Sequence, residues 1–445
     1  RIGLALGGAA VTTLATLPLL RALAGLLLGG ALGAIPAIVV LATALFLLPS
    51  LCVGVVSPIL TKLAMDDRPG ETGPVLGRMF ALGTLGSIFG TLGAGYLFLS
   101  WIGSAGTILA VAATYAVLAV AFLVTHRRAG LGALLVLAAA GGAVGLWGRS
   151  VTAFASPCQV ESDYFCIRVD DMSAQTGRPS ALMALDHLVH SINDRDDPDL
   201  FYSPYIHFVD ELARRRLAEG EPPRAFFIGG GGFTLPRAWA ARYPGADLTV
   251  AELDPAVTRA AADHLWLDPA APGLTILHRD ARAALQAIPP GPVFDLVFGD
   301  AFHDIAIPPH LVTREFHARI ARRLKPTGVY AVNVVDRGQD PRFLMALVRT
   351  LDLDFPHVEV WIEGDPGTAG GLALRGRTTF VIVAGQQPSP GNRLRAGSGF
   401  DRLWVRWPGP NLRRRVAQAG GPVLTDDLAP VDRLMSGLLL AEDGR

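Results

Sequence analysis

The chain is predicted to be two architectures in series: an α-helical membrane region over residues 1–150, then an open α/β sheet domain with a small β-rich cap. Three observations carry that prediction. Residues 1–150 hold eight Lys/Arg and three Asp/Glu, whereas 151–445 hold 31 and 36, a net of −5 under an overall charge of zero. Apolar runs of the length needed to cross a bilayer, roughly 20 residues, recur near 3–20, 32–61, 77–99, 105–124 and 131–147. From residue 224 onward, apolar strand patterns alternate with helical ones, as in a mostly parallel sheet with helices on both faces.

The first apolar run contains Pro18 and stops at Arg21. A signal peptide explains one such run, not five, and a chain opening on Arg1 rather than Met predicts further spans upstream. In GRMFALGTLGSIFGTLGAGY, Gly83, Ser87 and Gly90 share one helical face, a spacing that lets membrane helices approach closely. No span carries a central charge, which argues against a transport path. Lys62, Arg68 and Arg78 flank one loop and Arg127 and Arg128 another, two spans later. Both loops therefore face one side, the cytoplasm by the positive-inside rule. One more span, 131–147, then puts the soluble domain outside, unless that Gly/Ala-rich stretch is re-entrant or peripheral, which would restore a cytoplasmic domain. Sidedness stays open. So does the state of Cys158 and Cys166, a disulfide if exported and buried thiols if cytosolic; Cys52 lies in a span. No Cys/His spacing suits zinc, and no metal is expected.

The cap is expected over 151–200, in VESDYFCIRVDD, a Gly-Arg-Pro turn at 177–179, and SALMALDHLVHSI. The main domain follows over 201–445. Its helix at 203–218 precedes strands AFFIGG, LTVAEL, LTILHRD, FDLVFGDAF, GVYAVNVVD, HVEVWIE and TTFVIVAG. Residues 385–421, rich in Gly, Pro and Arg, read as a surface excursion, and a short helix closes the chain after VLTDDLAPVDRL. A slightly acidic domain whose Arg clusters lack interleaved aromatics excludes nucleic-acid binding.

The most informative stretch is FFIGGGGFTLPRAWAARYPGADLTVAELD, 226–254. Glycines such as Gly229 and Gly231 let backbone turn tightly against a ligand where a Cβ would clash. Glu252 and Asp254 end the next strand, where doubly wound sheets hold a ribose. Each candidate has a structural alternative: a plain turn for the glycines, a strand-end acid for Glu252, a helix N-cap for Asp280 in RDAR, a loop acid for Asp300. His303, beside Asp300, is a proton-transfer candidate. His187 and His190 would point to opposite faces of a regular strand.

These motifs, IGGGG (228–232), VAELDP (250–255), RDARAAL (279–285), FDLVFGDAF (294–302), LVTREFHARIARRLKPTGVYAVNV (311–334) and LTDDLAPVDRL (424–434), resemble the spermidine synthase family of aminopropyltransferases. ESDYFCIRV and LDHLVHS resemble that family's N-terminal β-region, and the pairing with GRMFALGTLGSIFGTL resembles a bacterial branch fused to a membrane segment. The resemblance implies a class I methyltransferase-like, Rossmann-like fold, a bacterial inner-membrane location in contact with the lipid bilayer, and a homodimer through the soluble domain. It implies decarboxylated S-adenosylmethionine or S-adenosylmethionine as cosubstrate and a small amine or polyamine as acceptor. By the same resemblance Gly229 and Gly231 line the nucleoside pocket, Glu252 takes the ribose hydroxyls and Asp280 the adenine amino group. Asp300, with His303 and Asp304, carries the chemistry, while Tyr202 and Asp186 touch the acceptor.

The amine end departs from the family. Gly232 stands where an aspartate grips the aminopropyl amine, His303 where the second acid of a D-x-x-D pair belongs, Ser203 and Pro204 in place of His-Glu, Phe165 in place of Gln, and His187 and His190 in place of the Gly and Gln. Polyamine ammonium groups need carboxylate partners when buried, so these losses predict weak spermidine formation from putrescine. An aspartate restored at 232 is expected to improve it. Two other readings stay open: an S-adenosylmethionine-dependent methyltransferase on the same fold, and a catalytically drifted, periplasm-facing membrane module.

Overall fold

A computed structural model of the chain describes residues 1–28, 33–125, 127–217, 221–303, 305–364, 374 and 376–440. It divides into two compact units, Arg1–Asp163 and Tyr164–Arg445.

Among the described residues of the first unit, the five apolar runs appear as four helical stretches long and apolar enough to cross a membrane: Ile2–Leu27, Ile35–Asp67, Thr72–Val124 and Gly130–Ser150. The difference arises because runs 77–99 and 105–124 join into one stretch of 53 residues. Gly103 breaks it, with φ 67° and ψ 179° inside Leu99–Val124. The break frees the Ser104 amide, which donates to Glu161 Oε2 at 2.7 Å. The Ser156 hydroxyl and the Ser104 amide hold the Glu161 carboxyl below its usual range. Among the described residues of this unit the expected close packing of the glycine face is not made: a Cβ on Gly83, Gly86 or Gly90 would meet open space. Phe80, Leu82, Leu85, Ile88 and Phe89 of the same helix are exposed. A two-residue strand, β1 (Val160–Glu161), lies at the end of this unit.

The second unit opens with an antiparallel meander, β2 (Cys166–Asp171), β3 (Ser180–Leu185) and β4 (Leu188–Asp194). The two-residue β3–β4 turn places Asp186 at φ 54°, a conformation Asp tolerates better than most side chains. After the helix Pro204–Arg216 comes a large sheet built from β5 (Arg224–Ile228), β6 (Asp247–Ala251), β7 (Leu274–Leu277), β8 (Phe294–Gly299), β9 (Leu324–Arg337), β10 (His357–Gly364), β11 (Arg377–Gly385), β12 (Arg393–Arg395) and β13 (Leu403–Arg406). The strand order is β12-β13-β10-β11-β9-β8-β5-β6-β7. Strands β5 to β9 pair in parallel, and β10 to β13 extend the sheet antiparallel from β9.

The pattern follows from burial on both faces. Phe226 and Ile228 of β5 enter one core with Phe316, Phe343 and Phe380, while Ala225 and Phe227 enter the other with Phe208, Trp239 and Trp361. Such double burial is why the parallel strands read as near-continuous apolar runs. Residues 385–421 are not the expected surface excursion. They supply β12, β13 and the helix Gly409–Ala419, and they bury Leu394, Trp404, Trp407 and Leu412.

One buried acid steadies the back of this sheet. Asp336 Oδ2 accepts the Leu344 amide at 3.0 Å and Oδ1 the Arg337 amide at 2.7 Å, so it satisfies the first turn of the helix Arg342–Leu351. Burial raises its carboxyl to about 6. Because the folded pKa exceeds the unfolded one, its contribution is greatest below the unfolded value and is lost as pH rises through about 6. Asp336→Ala is expected to cost about 1–3 kcal/mol by stranding these amides, and a chemical denaturation midpoint unchanged from the parent would show the bonds to be dispensable.

Candidate active site

The strand order creates a switch point. From β5 the chain winds out through β6 and β7, then returns to place β8 on the other side of β5. Open α/β sheets bind ligands in the crevice at such a reversal, beyond the carboxyl ends of the strands. Here the loops after β5 and β8 meet. The Asp300 amide donates to Ile228 O at 2.9 Å. Gly229, at φ 93°, lies so close that a Cβ there would be 2.7 Å from Asp300 O. Gly231 is also left-handed, at φ 49°. A Cβ on Gly230 would strike the Phe233 ring at 2.6 Å and approach Glu252 Oε2 at 3.1 Å. The turn therefore presents bare backbone because its sides are already filled.

Glu252, just beyond β6, is buried. Its Oε2 accepts the amides of Gly230 at 2.8 Å and Gly231 at 3.4 Å, and its Oε1 accepts that of Asp254 at 2.9 Å. Burial raises its carboxyl above the usual range against the pull of these amides. Glu252 is thus both a strand-end acid and the brace of the glycine turn. With Glu252 taking the ribose hydroxyls, as the sequence resemblance implies, Glu252→Ala is expected to weaken binding of 5′-methylthioadenosine by about 2–4 kcal/mol. Equal affinities of mutant and parent in calorimetry would remove Glu252 from the pocket.

Asp300 follows β8 directly. Asn333, on β9, donates from Nδ2 to Asp300 Oδ1 at 2.8 Å. Tyr205, in the first turn of Pro204–Arg216, donates its hydroxyl to His190 O at 3.4 Å and acts electrostatically on the same carboxylate. Burial nevertheless dominates and raises Asp300 to about 7, with the Asn333 hydrogen bond and the nearby Tyr205 hydroxyl pulling the other way. A carboxylate poised near neutrality at the end of a strand can take a proton and later release it.

The other sequence-selected residues are distributed differently. Asp280 caps the helix Ala281–Ala287 by accepting the Ala283 amide at 3.0 Å, and its Oδ2 lies 2.7 Å from His310 Nε2. The capping alternative is therefore present in the structure, beside any ligand role. His303 exchanges backbone hydrogen bonds with Ala306, and its ring centroid lies 6.4 Å from that of Phe165. Asp304 lies outside the described residues. Asp186 Oδ1 accepts the Cys166 amide at 2.9 Å, closing the β2–β3 end of the cap. Tyr202 points its hydroxyl at Asp194 Oδ2, 3.4 Å away, and packs on Phe400. The structure thus joins Gly229, Gly231, Glu252 and Asp300 through direct contacts, whereas Asp186 and Tyr202 are engaged by other partners.

Strand β4 of the cap grips the glycine turn from the side. Asn193 Nδ2 donates to Gly232 O at 2.8 Å, and Thr234 Oγ1 donates to Asn193 Oδ1 at 2.6 Å. The buried Ser191 Oγ would sit only 1.9 Å from a Cβ on Gly232. This corrects the expectation that an aspartate could be restored there, because the volume is occupied. Ser191, Tyr205 and Asn333 were not singled out in the sequence. Asn333 alone had a signal, an amide inside the apolar run of GVYAVNVV.

No family model matches the chain. It is 34% identical over 134 residues to a polyamine aminopropyltransferase of Vibrio vulnificus (strain CMCP6), covering 30% of this chain and 43% of that protein. It is 31% identical over 247 residues to a probable polyamine aminopropyl transferase of Bifidobacterium longum (strain NCC 2705), covering 52% of each. The chain spans about half the length of the curated relatives it matches. The crystal structure of a probable spermidine synthase from Corynebacterium glutamicum ATCC 13032 superposes with a TM-score of 0.51 at 21% identity, over 62% of this chain and 99% of that one. The fold is accordingly spermidine synthase-like, a Rossmann-like mixed sheet, preceded by a helical region with four long apolar stretches.

Proposed function

We propose that the chain is a membrane-anchored transferase that moves an aminopropyl group from decarboxylated S-adenosylmethionine to an amine acceptor. The observation that carries this reading is the switch-point contact of the glycine turn with Asp300, with Glu252 braced on the neighbouring strand. The similarity to polyamine aminopropyltransferases supports it. The bare backbone of 229–231 suits the nucleoside, Glu252 its ribose hydroxyls, and Asp280 its adenine.

The chemistry asks little of the protein beyond placement and a proton sink. The amine nitrogen forms a bond to the carbon next to the sulfonium, and the carbon–sulfur bond breaks with its electron pair passing to sulfur. The products are the alkylated amine and neutral methylthioadenosine. A free alkylamine is protonated at pH 7, with a pKa near ~10, so the acceptor must arrive as, or become, the neutral base. Asp300, at about 7, orients the neutral amine, stabilises the positive charge developing on nitrogen and takes its proton once the carbon–nitrogen bond has formed.

A second reading has one observation in its favour. The volume beside Gly232 is filled by Ser191, so that turn has no room for an acid to hold an aminopropyl ammonium, and a methyl donor would need none. Incubating the full chain in detergent with decarboxylated S-adenosylmethionine and amines separates the two. Release of methylthioadenosine with an aminopropylated product is expected. Release of S-adenosylhomocysteine from S-adenosylmethionine, without aminopropyl transfer, would establish the methyltransferase instead.

A further inference from the structure

A cleft of about 680 Å³ opens between the segment that follows β9 and the last helix of the chain, Val431–Leu440. Its charged lining is Asp340, Arg342 and Arg433. Asp340 and Arg342 answer each other at 2.8 Å. Arg433 has no ion pair among the described residues, and it is exposed, so a ligand can reach its donors. At the margin stands Arg337, whose Nη1 would lie 3.0 Å from a Cβ on Gly437, the residue after the lining Ser436. It too has no ion pair among the described residues. This is a domain with more acid than base, 36 Asp/Glu against 31 Lys/Arg over 151–445, in which Arg242, Arg282 and Arg395 each face a carboxylate. Two unanswered guanidiniums at one cleft leave it short of negative charge. Leu428, Pro430 and Leu434 make an apolar wall beside them.

We propose that this cleft binds a phosphate monoester carried on an apolar body. Such a group holds roughly two negative charges at neutral pH, matching the two unpaired guanidiniums, whereas a carboxylate would answer one. Guanidinium forks offer paired N–H donors to phosphate oxygens. The apolar wall covers the organic part, and the volume is that of a small-molecule site. Asp340 works against the ligand, since it neutralises Arg342 and repels the anion. The site is separate from the crevice at the switch point and does not depend on the transfer reading. A free organic phosphate and a lipid headgroup ending in phosphate present the same chemistry to it.

The test is calorimetry on the full chain in detergent, with phenyl phosphate as the probe. The unaltered chain is expected to bind it about tenfold more tightly than inorganic phosphate, because the ring is covered by the apolar wall. Arg433→Gln should weaken phenyl phosphate about tenfold, the equivalent of one charged hydrogen bond. Asp340→Asn should do the opposite and tighten it about threefold, by freeing Arg342 and removing a like charge. These two variants sit on the surface, and their effects of opposite sign separate a charge-reading site from a general loss of structure. Absence of phenyl phosphate binding, equal affinity for inorganic phosphate, an unchanged Arg433→Gln or a weakened Asp340→Asn would each overturn the proposal. Displacement of phenyl phosphate by 5′-methylthioadenosine would move the anion to the switch point and overturn it as well. Mixed micelles containing phosphatidic acid distinguish the two sources. Competition with phenyl phosphate in the unaltered chain but not in Arg433→Gln assigns the site to a lipid headgroup, and its absence assigns the site to a free organic phosphate; both results uphold the cleft.

Discussion

Asp300→Asn is expected to lower aminopropyl transfer by about 10²–10⁴-fold, the usual loss for a general base, while methylthioadenosine binding changes little. The pH dependence makes the expectation specific. With Asp300 at about 7, only the ionised form can take the amine proton, so the parent rate should rise through pH 7 and the residual rate of the mutant should not. Stability should run the opposite way. A carboxyl whose folded pKa lies above the unfolded one favours the protonated folded state, so stability is lost as pH rises through about 7. At pH 8 the Asn variant should therefore melt no lower than the parent, as is common where an active site holds a group at the expense of stability. A mutant that keeps most of its activity, or whose pH profile matches the parent's, would reduce Asp300 to a loop acid.

Gly232→Asp should destabilise the second unit by on the order of 2–4 kcal/mol, combining overpacking with an unpaired buried charge. Its Cβ would lie 1.9 Å from Ser191 Oγ and 2.5 Å from Ser191 Cβ, with Leu265 Cδ2 at 2.9 Å. Neither Ser191 nor the turn can give way easily, since Asn193, two residues along β4, is bonded to Gly232 O. Denaturation midpoints measured by near-UV circular dichroism report the loss. The overpacking share can be isolated by adding Ser191→Gly, which empties the volume beside β4 and should recover that share of the stability. An unaltered midpoint for Gly232→Asp would mean that β4 stands further from the turn than these distances say.

The comparison of these two residues shows where sequence reasoning holds. Asp300 was legible because it ends an apolar run at a strand terminus, and the alternation that located β5 to β9 is a local pattern. The glycine turn and Glu252 were legible for the same reason. Gly232 was legible only as a missing acid. Its neighbour Ser191 lies 41 positions earlier, on a cap strand whose register no local pattern dictates. Tyr205 and Asn333 meet Asp300 from separate elements, and only the folded sheet brings them together. Residues 385–421 failed differently: Gly, Pro and Arg dominate their composition, yet single apolar residues such as Leu394 and Trp404 hold them to the core. Short antiparallel strands are set by their partners, and β12 has only three residues with which to announce itself.

That short strand has a bearing on self-association. β12 closes one side of the large sheet with Arg393 and Arg395 exposed on either side of the buried Leu394, and Arg395 is paired with Asp401. An edge so brief and so cationic is a poor template for another chain's backbone. The opposite side ends on β7, four residues long. A domain with nine strands in one sheet would otherwise offer a long ladder of open amides and carbonyls to every copy it met. Truncating both margins lets the sheet grow wide without growing sticky, and any pairing of two copies must then use side-chain faces rather than strand-to-strand continuation.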